Sequence, residues 1–172
     1  MNVKYKENYV DKMKEKFDML AGLDELDRRI LSLLQTDASM SNQELAQRVH
    51  ASPPTCLRRV RRLRELGVIQ GIVAILAPER VGSPLTAIVE ITLDIQTAER
   101  LESFENRVRN EPALVQCYRV SGGPDFVLVA LAANMQAYQE LVRRVFNADS
   151  NVRNVRTFFS MHRSKFDVRA MV

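Results

Sequence analysis

Ser52-Pro53-Pro54-Thr55-Cys56-Leu57-Arg58-Arg59-Val60-Arg61-Arg62-Leu63-Arg64-Glu65-Leu66 sets five arginines within positions 58–64 and an apolar residue at every third place: Leu57, Val60, Leu63 and Leu66. A solvated tail has no need of that interleaving. A helix resting on a core while offering its other side to a polyanion does. At 3.6 residues per turn, Cys56, Leu57, Val60 and Leu63 share one arc. Thr55, Arg58 and Arg62 point the opposite way, with Arg59 and Arg61 on the flanks. Fifteen residues make a rod of about 22 Å, a fit for the major groove of B-DNA. Salt-bridged surface helices alternate charge signs at i,i+4, and here Glu65 alone opposes the arginines.

The segments around this rod carry helix punctuation. Asp24 followed by Asp27 predicts a capped start, since a carboxylate accepts from free N–H groups and suits the positive helix end; Leu26, Ile30, Leu33 and Leu34 then supply a core stripe. Ser41 with Glu44 is a capping box, and Leu45, Ala46 and Val49 form the apolar face behind it. Ser52 caps the third helix, with Pro53 at the first helical position, where a missing N–H costs little, and Gly67 as its C′ residue. Three short capped helices predict a helix-turn-helix. Val68–Leu76, rich in β-branched residues, is expected to add a strand or wing, giving a winged helix-turn-helix over residues 23–77. Residues 1–22 are a charged extension, with Val10, Met13, Phe17 and Leu20 at helical spacing.

A linker is expected over 78–83, where Pro78 and Gly82 break any regular pattern. The period then changes. Ala87, Val89, Ile91 and Leu93 alternate with Thr86, Glu90, Thr92 and Asp94, as in a strand with one buried face. Leu101, Phe104 and Val108 mark a helix ending before Pro112. Leu114–Ser121 predicts a second strand, Gly122-Gly123-Pro124-Asp125 a turn, and Phe126–Ala132 a third strand. Tyr138, Leu141, Val142 and Val145 mark a second helix, and Val152–His162 the last strand. The order β-α-β-β-α-β over residues 84–172 is that of a ferredoxin-like sandwich. Both helices cover one sheet face, and a partner subunit is the simplest cover for the other. The chain is therefore an α+β protein of two small domains.

The 172 residues carry a formal charge of +4, with 14 Lys and Arg against 11 Asp and Glu over residues 1–81. Placement matters more than size here: the positive charge gathers in one segment, as in a local nucleic-acid footprint. Cys56, Cys117, His50 and His162 fit no metal spacing, and two lone thiols suit a reducing cytoplasm. No apolar run reaches membrane-spanning length, and the lysine-bearing N-terminus lacks the apolar core of a secretory signal. No P-loop, nucleophile elbow or paired-carboxylate motif stands in the sequence, so no enzymatic activity is expected.

Taken in order and at their spacing, Leu23-Asp24-x-x-Asp27-x-x-Ile30-Leu31, Asn42-x-Glu44-Leu45-Ala46, Ser52-Pro53, Arg59-Val60-x-x-Leu63-x-x-x-Gly67-Val68-Ile69 and Gly122-x-x-Asp125-Phe126-x-Leu128 resemble the Lrp/AsnC (leucine-responsive, feast/famine) family of transcriptional regulators. The resemblance covers about residues 23–163. It departs at Pro53-Pro54-Thr55, where Ser-Pro-x-Pro is more usual, and in the long N-terminal extension.

The resemblance implies a DNA-binding domain joined to an effector-binding and oligomerisation (RAM) domain. It further implies homodimers that assemble into tetramers or octamers, amino-acid effectors held where dimers meet, and action in the cytoplasm on the nucleoid. On the DNA side, Thr55, Arg58 and Arg62 are expected to face the groove. Ser41, Gln43, Ser52, Arg59 and Arg61 are the remaining DNA-binding candidates; among them Ser41, Gln43, Arg59 and Arg61 suit phosphates, which fix position while base edges fix sequence. Arg64 falls inside the apolar arc. On the effector side, Gly122 and Gly123 let backbone N–H groups approach a carboxylate, Asp125 suits an ammonium, and Met135 and Thr157 suit the variable side chain. Gly-Gly-Pro-Asp is also a good β-turn, and Met135 and Thr157 also suit plain packing. No cofactor is expected beyond the amino-acid effector. The alternative is an architectural, nucleoid-type DNA-binding protein that ignores metabolites.

Overall fold

A computed structural model describes residues 22–172; the helix expected around Val10 to Leu20 lies outside the described residues. Two compact units emerge, one reaching Ala74 and including Asp167–Val172, the other Ile75–Phe166. The last six residues thus group with the helical unit, whereas the sheet domain was expected to run to residue 172.

In the first unit, α1 (Glu25–Thr36), α2 (Asn42–Arg48) and α3 (Pro53–Glu65) begin at the caps that the sequence signals. Asp24 and Asp27 form a reciprocal capping box, and Ser41 and Glu44 form another. Ile30, Leu31, Leu45, Ala46, Val49, Cys56 and Leu63 meet in a common core. Both α2 and α3 end in one hydrogen-bond pattern, in which the second residue past the cap donates back to the helix: Ala51 N–H to the Ala46 carbonyl (2.9 Å) and Val68 N–H to the Leu63 carbonyl (2.9 Å). That motif needs a left-handed residue between. Gly67 supplies it after α3 (φ 69°) and His50 after α2 (φ 54°). The Gln35 side chain clasps the backbone of Ala170, donating to its carbonyl (3.0 Å) and accepting from its N–H (2.5 Å).

Leu57 and the segment Val68–Leu76 depart from expectation. Leu57 is 51% exposed, not in the core. The apolar direction of α3 runs through Cys56 and Leu63, leaving Leu57 roughly 100° or more away. Val68–Leu76 forms no strand: Val68 and Ile69 pack on the helical core, while Ile72, Val73, Ile75 and Leu76 are exposed. β-branched residues favour a strand only where a neighbouring strand supplies the ladder, and this unit holds none among the described residues.

The second unit has β1 (Leu85–Leu93), α4 (Ala98–Arg109), β2 (Leu114–Arg119), β3 (Phe126–Ala132), α5 (Met135–Leu141) and β4 (Val152–Phe159). Its sheet order is β2-β3-β1-β4, with every pair antiparallel. That is the ferredoxin-like arrangement, although β2 and β4 stop two to three residues short of their expected ends. α5 continues into a wider π turn, Val142–Phe146, that buries Val145 and Phe146. Ala87, Val89, Ile91 and Leu93 of β1 and Phe126, Leu128, Ala130 and Ala132 of β3 share a core with Phe104, Val108, Tyr138 and Leu141 from the helices. Ile88, cross-strand from both Val129 and Phe158, looks out on the opposite face.

Candidate nucleic-acid interface and effector cleft

Burial of Cys56 and Leu63 aims the outward stripe of α3 along Pro54, Leu57, Arg58 and Arg61, all exposed at i, i+3, i+4 and i+7. Arg64, expected inside the apolar arc, is exposed as well. Among the described residues, Arg58, Arg61 and Arg64 have no carboxylate partner. Half-buried Thr55 is occupied locally: its N–H donates to Ser52 Oγ (3.4 Å) and its hydroxyl accepts from Ser52 (2.9 Å). Asn42 Nδ2 donates to the Pro53 carbonyl (2.9 Å), tying the start of α2 to the start of α3. Ser41 and Gln43 lie exposed on that same end of α2. The Ser41 hydroxyl itself donates to Glu44 (2.8 Å).

Arg59 and Arg62 turn the other way, against the outward orientation expected of Arg62. Arg59 Nη1 lies 2.6 Å from Asp24 Oδ2 and 3.2 Å from Asp27 Oδ2. Arg62 Nη1 lies 3.0 Å from Asp27 Oδ2, and its Nη2 donates to the Gly22 carbonyl (3.2 Å). The cause is Asp27, whose side chain is fully buried. A buried carboxylate needs cationic partners, and α3 presents two, one turn apart. The Asp27 backbone N–H foremost, and then the Arg59 guanidinium, hold the Asp24 carboxyl below the usual carboxylate range. Reading Asp27 as a cap alone missed this role. The signal was there, since Asp27 extends the Ile30, Leu31 and Leu34 stripe one turn upstream at i−3, i−4 and i−7.

In the sheet unit, Met135 and Thr157 line one open cleft of about 560 Å³ with Tyr138, Val142, Arg143 and Asn147. The Tyr138 and Thr157 hydroxyls lie 2.5 Å apart, and burial pushes the Tyr138 phenol up. Arg143 is exposed and has no ion-pair partner among the described residues. Tyr138, Arg143 and Asn147 were not singled out from sequence: Tyr138 registered only as a core position, and the other two carry no motif.

Gly122, Gly123 and Asp125 are not in this cleft. They follow β2 beside the Ile91 end of β1, whereas Met135 follows β3 at the Leu85 end, about 20 Å away along the strand. Within one subunit the five residues do not converge. Gly122 takes up a left-handed conformation (φ 88°) that favours glycine. Asp125 is half-buried, its Oδ2 accepting from the Leu93 N–H (2.7 Å).

Residues 23–70 match the winged helix-turn-helix DNA-binding model and residues 86–169 the Lrp/AsnC ligand binding domain. The chain is 37% identical to the leucine-responsive regulatory protein of Escherichia coli K12, over 87% of its own length and 92% of that protein. It is 39% identical to the transcriptional regulator AldR of Mycobacterium tuberculosis, over 80% of its length and 76% of AldR. Among solved structures, an AsnC family regulator from Agrobacterium tumefaciens aligns with a TM-score of 0.78 at 33% identity, covering 86% of this chain and 96% of that one. A Neisseria meningitidis regulator in complex with L-Met aligns with a TM-score of 0.76 at 29% identity, covering 85% and 94%. The matched domains and relatives are transcription regulators, not enzymes. With a helix-turn-helix matched over residues 23–70, an Lrp/AsnC ligand binding domain over residues 86–169 and relatives at 37–39% identity, the chain belongs to the Lrp/AsnC family of transcriptional regulators.

Proposed function

We propose that the protein is a sequence-specific DNA-binding regulator whose DNA binding or assembly responds to a free amino acid. The observation that carries this reading is the exposed row of Arg58 and Arg61 on α3, without internal partners among the described residues. Arg58 and Arg61 face base edges, Thr55 and Ser52 shape the start of α3, and Ser41 and Gln43 hold phosphate. Arg62 keeps a side chain 39% exposed and reaches phosphate from its anchored position, while Arg59 serves the fold first. The domain boundaries proposed for these roles are 23–77 for DNA binding and 84–166 for effector binding and assembly, with Asp167–Val172 grouping with the helical unit.

The effector reading rests on the matched ligand-binding domain, on the relative solved with L-Met, and on the chemistry of two separated elements. The cleft offers Arg143 for a carboxylate and apolar walls at Met135 and Val142. The Gly122–Asp125 loop offers glycine backbone and an acid. Because these lie apart in one subunit, they form one site only if neighbouring subunits bring them together. The open sheet face, with Ile88, Tyr118 and Phe158 exposed, is the dimer surface in this reading, and dimers associate further into tetramers or octamers. No described helix is long and apolar enough to cross a membrane, and the protein works on DNA in the cytoplasm.

Selection from a pool of random duplexes by the full chain, followed by isothermal titration with each of the twenty amino acids, tests both halves. An enriched duplex motif and saturable heat with at least one amino acid are expected. Enrichment without any amino-acid heat would leave an architectural DNA-binding protein, and no enrichment would remove the regulator reading.

A further inference from the structure

We infer that Leu57 reads sequence, by packing against the C5-methyl group of a thymine in the major groove; the inference rests on the DNA-binding reading of α3. A single exposed leucine is unremarkable. The setting of this one is not. Leu57 stands 51% exposed in the first half of α3, the half that meets base edges in helix-turn-helix docking. It directly precedes Arg58 and lies one turn before Arg61, so all three belong to the outward stripe. Neither arginine has an internal partner among the described residues. A second copy of α3 would bring arginine against arginine, so self-association is a poor cover for this patch.

A polyanion whose groove wall also carries an apolar group fits better. Among the base edges of the major groove, thymine alone presents a methyl. Arg58 and Arg61 meanwhile suit the guanine O6 and N7 pair, through their planar fork. Leu57 and Arg61 are separated by about 6 Å along the helix axis, close to two base-pair steps. The preferred half-site therefore holds a thymine within about two base pairs of a guanine.

The full chain is used to enrich duplexes from a random pool, and each thymine of the enriched motif is then replaced singly by deoxyuridine, which lacks only the methyl. Affinities are compared by gel shift at one fixed salt concentration. The wild type should lose about fourfold at one thymine per half-site, the ratio expected for one buried methyl-sized group. Leu57→Ala should lose at least that much on the thymine duplex and show no further loss with deoxyuridine at that position. Arg61→Ala should bind weakly yet retain the deoxyuridine penalty. Alanine favours the helix and Leu57 supports no core, so the melting temperature should hold. A wild type indifferent to every replacement, or a Leu57→Ala variant that keeps the full deoxyuridine penalty, overturns the methyl contact and leaves DNA binding standing. Failure of the wild type to enrich any duplex overturns the DNA-binding reading and this inference with it.

Discussion

Asp27 shows how one buried carboxylate organises a surface. Its side chain is fully buried, caps α1, and draws Arg59 and Arg62 inward. Asp27→Ala would remove the carboxylate that both guanidinium groups share, leaving Arg59 with Asp24 and Arg62 with the Gly22 carbonyl, and losing hydrogen bonds to a charged group costs about 1.5–3 kcal/mol. Asp27→Asn keeps the shape and some hydrogen bonding, so it should lose less. Urea midpoints at fixed protomer concentration check the order, with Asp27→Ala lowest. His50 offers the opposite sign. It holds the left-handed position (φ 54°) that Gly67 holds after α3 (φ 69°). Left-handed backbone costs a non-glycine residue about 1–2 kcal/mol, and glycine returns some of that gain through its larger unfolded entropy. His50→Gly should therefore stabilise the helical unit by about 0.5–1 kcal/mol, visible as a higher melting temperature with DNA affinity unchanged.

At the scale of one element, the proposed reading has α3 divide its arginines between anchoring the fold and contacting DNA, and stability with base preference separates the two tasks. Each phosphate contact contributes about 0.9 to the slope of log affinity against log salt on B-DNA. Arg61→Ala should relax base preference and leave that slope near the wild-type value, as expected of a side chain at a base edge, with wild-type stability. Arg59→Ala should lower the melting temperature and spare the slope, since its guanidinium is already held by Asp24 and Asp27. Equal base preference and equal stability in both variants would contradict the division. Much of the fold was legible from pattern: all three caps of the helical unit, Gly67, and the alternation of β1 follow local rules that the packing obeys. Side-chain direction within α3 was less legible. An arc drawn through apolar residue types admits Leu57 and leaves Arg59 at the flank, because it carries no knowledge that a buried acid on another helix will claim the arginines. The missing strand at Val68–Leu76 has a similar origin, since strand propensity is realised only through a partner that the sequence does not name. The proposed effector residues drew on the Gly122–Asp125 motif, yet the distance of that loop from Met135 along β1 is a matter of strand register.

Across the whole molecule, the sheet exposes the face that its helices do not cover. Ile88 is 40% exposed and Phe158 41%, lying cross-strand from each other, with half-buried Val127, Val129 and Leu131 alongside. Beside them, Arg156 stacks over Phe158 (4.7 Å) and reaches Glu90 (3.6 Å), so this ion pair is satisfied locally. A two-fold interface sets the same patch against itself, so Ile88→Lys would oppose two unpaired ammonium groups across it. In a free subunit the same lysine would reach water, at a strand-propensity cost of at most about 1 kcal/mol. Sedimentation should show Ile88→Lys dissociating to subunits with wild-type circular dichroism. Two helix-turn-helix units joined through this face gain effective concentration on a duplex carrying two half-sites, commonly worth 10²–10⁴ in affinity. The variant should lose at least about a hundredfold on such a duplex and almost nothing on a single half-site. If Ile88→Lys keeps both its assembly and its two-site affinity, subunits meet through some other surface.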